Sequence, residues 1–96
     1  MEFDWDPAKA EKNRRKHAVT FEEALTVFHP AEPEIFEDEA HSDEEELRFI
    51  AIGFSEKSRL LMVSFVRHRA TIRIISARRA NEREAKFYAQ AKSSES

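Results

Sequence analysis

The sequence contains no cysteine, a single glycine and three prolines. Without cysteine there can be neither a disulfide framework nor a thiolate metal site, as in a reducing compartment. One glycine excludes a GxGxxG phosphate-binding loop outright. No apolar run approaches the roughly 18 residues needed to span a membrane, and the opening MEFDWDPAKAEK is charged where a signal peptide would be apolar. No HExxH-type spacing occurs, and no Ser–His–Asp grouping stands out. Asp38, His41 and Asp43 to Glu46 offer oxygen and nitrogen donors, but a solvated acidic loop is the simpler reading of that stretch. The expectation is a cytoplasmic protein without metal, cofactor or membrane attachment.

What is present suits one folded unit. A chain of 96 residues can enclose one core, and eight Phe, one Trp and one Tyr supply bulky apolar material that a disordered chain lacks. We expect a single domain over residues 1–92 and a polar tail over 93–96. The formal net charge of −3 hides an asymmetry. Residues 18–48 hold eleven acidic side chains against one basic, Arg48, whereas residues 49–96 hold ten Lys or Arg against four Glu. Two readings follow: a basic surface that meets phosphate, or two halves that pair with each other inside the fold.

The hydrophobic pattern predicts an α+β fold. Phe3 and Trp5 alternate with Glu2, Asp4 and Asp6, as in a short strand. Asp6-Pro7 supplies an N-cap and a proline at the first helical position, opening a polar helix to His17. Thr20 and Glu23 have capping-box spacing, and Phe21, Ala24, Leu25 and Phe28 form one apolar helix face ended by His29-Pro30. A short edge strand is expected at about 33–38, then a loop through His41-Ser42. Three strands complete an antiparallel meander at about 47–55, 59–67 and 71–78, the middle one apolar throughout and therefore central. A last helix is expected over about 80–91. The expected sheet is a four-stranded antiparallel meander, with the N-terminal strand as an optional fifth, packed by two N-terminal helices and one C-terminal helix.

Useful chemistry is densest between Arg67 and Lys86. Arg73 belongs to the strand face opposite Ile72 and Ile74. Arg78 and Arg79 mark the strand–helix junction, and Arg83 and Lys86 follow at helical spacing. Guanidinium groups pair bidentately with phosphate, and Tyr88 or Phe87 is placed to stack on an unpaired base. Cleaving RNA without metal needs a base for the 2′-OH, cations for the phosphorane and an acid for the leaving 5′-oxygen. Histidine commonly serves as acid or base. His17 and His29 sit at helix ends and read as caps. His41 lies in an acidic loop, surroundings that favour the imidazolium a general acid requires. His68, between Arg67 and Arg69, suits a neutral base.

Three blocks then resemble one family. Phe3–Phe28, FDWDPAKAEKNRRKHAVTFEEALTVF, resembles the N-terminal signature of BrnT-type toxins. His41-Ser42 with Glu45, Glu46 and Arg48 resembles the HS…EER segment of that family. Ile72–Ala80, IRIISARRA, with Glu84 and Tyr88, resembles its C-terminal block. The blocks come in order and span nearly the whole chain. The resemblance implies a RelE-like fold and a metal-independent endoribonuclease, the toxin of a type II toxin–antitoxin pair, which cleaves RNA through the 2′-OH and inhibits translation and growth. It also implies a cognate BrnA-type antitoxin with a ribbon-helix-helix-type DNA-binding module, a heterotetramer, and DNA contact only through that partner.

By match, His41, Glu46, Arg48, Arg73 and Arg78 carry over from the family. Arg73 and Arg78 are assigned to phosphate and transition-state charge, His41 or Glu46 to proton transfer. Arg67 joins the catalytic group because its hairpin lies close to the expected active surface. Arg48, His68, Arg69, Arg79, Arg83, Lys86 and Tyr88 are the expected RNA contacts. The sequence departs from the family at three points. Ala18 replaces a glycine after Lys-His, so positive φ is not expected there. Leu47 interrupts the Glu-Glu-Arg run, which leaves Glu45 and Glu46 both in contention. The Arg-Gly hairpin reads Arg67-His68-Arg69. The rival reading is a non-catalytic RNA- or protein-binding module of the same fold. A stand-alone DNA repressor is disfavoured, because the second helix carries Glu22 and Glu23 where a recognition helix would be basic.

Overall fold

In the computed structural model, which describes residues 2–43 and 45–94, nine short elements alternate along the chain. They are strand β1 (Glu2–Asp4), helices α1 (Pro7–His17) and α2 (Phe21–Leu25), strand β2 (Glu34–Glu37) and a 3₁₀ turn at Glu39–His41. Strands β3 (Arg48–Phe54), β4 (Leu60–His68) and β5 (Thr71–Arg79) and helix α3 (Glu82–Ser94) follow. The strands form one sheet in the order β1-β5-β4-β3-β2. Strands β2 to β5 are the expected antiparallel meander, but β1 pairs parallel to β5, so the sheet is five-stranded and mixed. Alternation at Phe3 and Trp5 reports a face and not a direction, which is why the sequence pattern could not supply the parallel pairing. Phe3 lies opposite Ile72 and packs on Phe28, ring centroids 5.3 Å apart.

One face of the sheet carries α1, α2 and the main core. Ala51, Leu61, Val63, Phe65, Ile72, Ile74 and Ala77 meet Val19, Phe21, Ala24 and Val27 there, all nearly inaccessible to water. Helix α1 starts as expected: the Asp6 carboxylate accepts the Ala8 N–H at 2.8 Å, and Pro7 follows the cap. Buried Asn13 holds the helix to the sheet. Its amide nitrogen donates to the Ala77 and Val19 carbonyls, and its oxygen accepts the Ala77 N–H at 3.0 Å. The side chain thus occupies the β5 edge beyond the reach of three-residue β1.

Ala18 closes α1 in the left-handed region, φ 57°, contrary to the expectation from its side chain, and its N–H bonds the Arg14 carbonyl. Closing the helix there costs a Cβ clash of about 1–2 kcal/mol that glycine avoids. Ala18→Gly is therefore expected to stabilise the protein by about 0.5–1 kcal/mol after its greater chain entropy is subtracted. Thermal denaturation would register this as a melting point raised by a few degrees; an unchanged or lowered melting point would refute the strain.

Helix α2 ends at Leu25, shorter than the apolar stripe suggests. Beyond it the chain tightens into i→i−3 hydrogen bonds from Val27 to Ala24 and from Phe28 to Leu25. The apolar face survives this change: Val27 is buried and Phe28 packs edge-on against Phe65. The single glycine sits beneath this segment. A Cβ on Gly53 would come within 3.1 Å of Val27 and 3.2 Å of Pro33, so its absence lets the segment lie directly on β3.

Helix α3 packs on the opposite face near β2, through Phe36 against Phe87 and Phe54 against Tyr88. It begins at Glu82 rather than Ala80 because Asn81 and Glu84 form a reciprocal capping box, each side chain bonding the other's N–H at 2.8 Å. The helix continues to Ser94, into the expected polar tail. Lys92 bonds the Glu32 carbonyl and lies 3.4 Å from Glu34. The remaining tail positions, 95–96, lie outside the described residues.

Candidate nucleic-acid interface

Helix α3 covers only one end of its face, and the rest is open. Register aligns four residues across that open part: Asp4, Arg73, Val66 and Arg48. Two strand spacings separate Arg48 and Arg73, about 10 Å between Cα atoms. Val66 between them is 9% exposed. Each guanidinium has one carboxylate nearby, Asp4 at 3.3 Å from Arg73 and Glu46 at 3.5 Å from Arg48. With side chains 33–53% exposed, such pairs are screened and weak. His68 projects from the same face one step along β4, opposite Thr71.

A β-bulge decides which arginines share this face. Ser64 pairs with Ser76, yet Phe65 pairs with Ile74, leaving Ile75 as the extra residue in β5. Five residues apart, Arg73 and Arg78 would otherwise point to opposite faces. The bulge restores them to one, opposite Val66 and Met62 respectively, about 13 Å apart along the strand. Simple alternation in the sequence gives no sign of this.

Arg78 is nevertheless engaged differently from Arg73. Its two terminal nitrogens hold both oxygens of Glu84, at 2.8 and 2.7 Å, and the first also donates to the Arg79 carbonyl. The Arg78 guanidinium holds the Glu84 carboxyl below the usual carboxylate range against the opposing effect of burial. Because Glu84 is also the capping-box residue, Arg78 ties the end of β5 to the start of α3.

The loop before β3 is fastened to Arg48. The Asp38 N–H bonds the Arg48 carbonyl at 2.8 Å, and the Arg48 N–H bonds the Ser42 hydroxyl at 2.9 Å. That hydroxyl lies 2.9 Å from the Asp38 carbonyl, which it donates to. His41, in the 3₁₀ turn between them, has its Nδ1 2.9 Å from an Asp38 carboxylate oxygen. Asp43 accepts the N–H groups of Glu45 and Glu46, at 2.9 and 2.7 Å. Of the two glutamates left open by the sequence, Glu46 is the one whose side chain reaches Arg48.

The structure therefore gathers Glu46, Arg48, His68 and Arg73 at one end of the open face, with His41 in the loop tied to the Arg48 backbone and Arg78 on the same face at the α3 junction. Arg67 falls elsewhere. It pairs with Ile72, faces the helix side, and lines an apolar hollow of about 220 Å³ with Phe28, Ile35, Phe49 and Phe65. Its Nε donates to the Arg69 carbonyl in the hairpin, where Arg69 takes φ 58°. Arg79 pairs with Leu61 and also belongs to the helix side. Arg83 and Lys86 lie beside Phe87 on α3, and Arg83 also lines the hollow between that helix and Ile52 and Met62 of the sheet. Phe87 and Tyr88 are used in docking α3 rather than presented on the arginine row. Among the described residues, no three His, Asp or Glu side chains gather as a metal would require; Glu44, within the acidic stretch considered above, lies outside them.

Sequence reasoning missed a buried polar cluster on the helix side. Glu23 is 1% exposed; its oxygens accept from the Ser55 hydroxyl at 2.7 Å and from Arg59 Nε at 2.9 Å, with a second Arg59 contact. Thr20 caps α2 as expected, accepting the Glu23 N–H at 3.0 Å, but the Glu23 carboxylate turns to Arg59. The Arg59 hydrogen bonds hold the Glu23 carboxyl below its ordinary range, against burial and with help from Ser55. The available signal was an otherwise unexplained Arg59 just before β4.

Fold and site define a small α+β protein with an open, arginine-bearing sheet face. The family model for the BrnT ribonuclease toxins of type II toxin–antitoxin systems matches residues 5–84, and the chain belongs to that family. The crystal structure of the ribonuclease toxin BrnT of Brucella abortus is similar in fold, with a TM-score of 0.65 at 22% identity, over 85% of this chain and 99% of that one. No curated protein matches the sequence. No helix among the described residues is long and apolar enough to cross a membrane.

Proposed function

We propose that this toxin is a metal-independent endoribonuclease whose active surface is the open sheet face at Arg48 and Arg73. The observation that carries the reading is the alignment of those two arginines across Val66, with His41 and Glu46 fastened to the Arg48 end. In this mechanism the 2′-oxygen attacks phosphorus while its proton passes to the Glu46 carboxylate. The bond from phosphorus to the 5′-oxygen breaks, and the His41 imidazolium gives that oxygen a proton. Arg48 and Arg73 hold the phosphoryl oxygens as charge builds on them. The products are a 2′,3′-cyclic phosphate and a free 5′-hydroxyl. Arg78 contributes charge from the α3 junction, and His68, Arg69, Arg83 and Lys86 guide the strand.

Family membership supports the wider setting. We read the fold as RelE-like and the protein as a cytoplasmic inhibitor of translation and growth. A cognate BrnA-type antitoxin with a ribbon-helix-helix-type module neutralises it in a heterotetramer and makes any DNA contact. The test is incubation of the isolated chain with purified, ribosome-free RNA in the presence of EDTA. Cleavage that leaves cyclic phosphate ends is expected. A folded chain that leaves RNA intact would move the reading to a non-catalytic RNA- or protein-binding module.

A further inference from the structure

Resting on that reading, we propose that Asp38 is a positioning residue for His41, fixing the imidazole beside Arg48 with Nδ1 protonated and Nε2 turned to the substrate. Three observations carry this. The Asp38 carboxylate is the shielded member of the pair: its side chain is 16% exposed against 67% for His41, and the contact is 2.9 Å at Nδ1. Asp38 is itself immobilised, its N–H on the Arg48 carbonyl and its carbonyl on the Ser42 hydroxyl. Ser42 in turn receives the Arg48 N–H, so carboxylate, imidazole and the first arginine of the row share one hydrogen-bonded frame.

Chemistry explains why such a frame would matter. A histidine on a 3₁₀ turn has two freely rotating side-chain bonds and two tautomers, and only one combination serves proton transfer at a neighbouring phosphate. A carboxylate accepting Nδ1–H selects that tautomer and orients the ring, without itself taking the proton. When the His41 Nε2 proton moves to the leaving 5′-oxygen, Asp38 remains a carboxylate throughout. The other charged groups described in the same loop are Glu39, Asp43, Glu45 and Glu46, with Arg48 at its end; among the described residues only Asp38 is hydrogen-bonded to the imidazole.

The decisive experiment is a double-mutant cycle in single-turnover RNA cleavage. Asp38→Ala preserves the backbone bonds to Arg48 and Ser42, so the loop is retained while the carboxylate is lost. It is expected to lower kcat about tenfold with KM within about twofold, because substrate is held by the arginines. His41→Ala is expected to lower kcat about a hundredfold, and adding Asp38→Ala to it to cost nothing more. The imidazole ¹⁵N spectrum of the parent at mildly alkaline pH should show Nδ1–H, giving way in Asp38→Ala to the Nε2–H form. Fully multiplicative losses in the cycle, or an unchanged tautomer, would overturn the proposal while leaving the ribonuclease reading intact. A parent chain with no cleavage would overturn both.

Discussion

Arg59→Ala is expected to destabilise the protein by about 3–5 kcal/mol, the usual consequence of leaving a buried charge without its partner. Glu23 is 1% exposed and cannot recover hydration when the guanidinium goes; only the Ser55 hydroxyl remains to it. The reverse change should cost less. Without Glu23, Arg59 keeps its bond to the Ala18 carbonyl, and its side chain, 24% exposed, can reach water. A domain of this size has roughly 5–10 kcal/mol in total, so Arg59→Ala takes a large share. Urea denaturation of both variants would measure the order, and a Glu23→Ala loss exceeding that of Arg59→Ala would contradict this account.

The same pair makes a pH prediction whose sign is set by the lowered Glu23 carboxyl. A carboxylate whose folded pKa lies below its unfolded value, about 4.3, stabilises the fold above that value and loses this contribution as pH falls through the folded one. The parent should therefore weaken on acidification below about pH 5. In Arg59→Ala the largest lowering influence is gone, and only the Ser55 hydroxyl and the Lys57 charge still oppose burial, which favours the protonated acid, so acidification relieves the defect. The stability gap between parent and variant should narrow from neutral pH to about pH 4. A constant gap across that range would mean that Glu23 is not the charge being stranded.

These residues also mark where the sequence was readable. The strands from Glu34 to Arg79 follow from local alternation and apolar runs, and Asp6-Pro7 and Thr20 announce their helices by side-chain chemistry that acts within three residues. What stayed hidden is non-local. Asn13 and Glu23 look like solvent-facing helix residues until Ala77 and Arg59, 64 and 36 positions away, are seen against them. The bulge at Ile75 leaves no compositional trace, yet it decides that Arg78 shares a face with Arg73. The Asn81–Glu84 capping box was legible in spacing, and would have placed the start of α3. The family blocks pointed to His41, Glu46, Arg48, Arg73 and Arg78; why the loop and β5 lie at one end of the sheet required the sheet order.

Arg73→Ala is expected to reduce RNA cleavage by roughly 10²–10³-fold, the loss typical of removing one preorganised donor to transition-state charge. The fold should survive, because the pair lost with Asp4 is exposed and contributes little. Arg48→Ala should produce a loss of similar size. Lysine at either position should restore only part, since an ammonium keeps the charge but not the planar fork that grips two phosphoryl oxygens. Arg78→Ala supplies the contrast. Its bonds to Glu84 hold the first turn of α3, so this variant should lose stability as well as activity. RNA affinity measured against salt gives an independent check: each phosphate contact removed at Arg48 or Arg73 should lower the slope of log affinity by about one. Single-turnover cleavage with thermal denaturation of the same samples separates chemistry from folding. Full cleavage by a folded Arg73→Ala protein would remove the open sheet face from the mechanism, whereas cleavage lost by Arg48→Ala and Arg73→Ala at parental stability would fix the reaction between those two side chains.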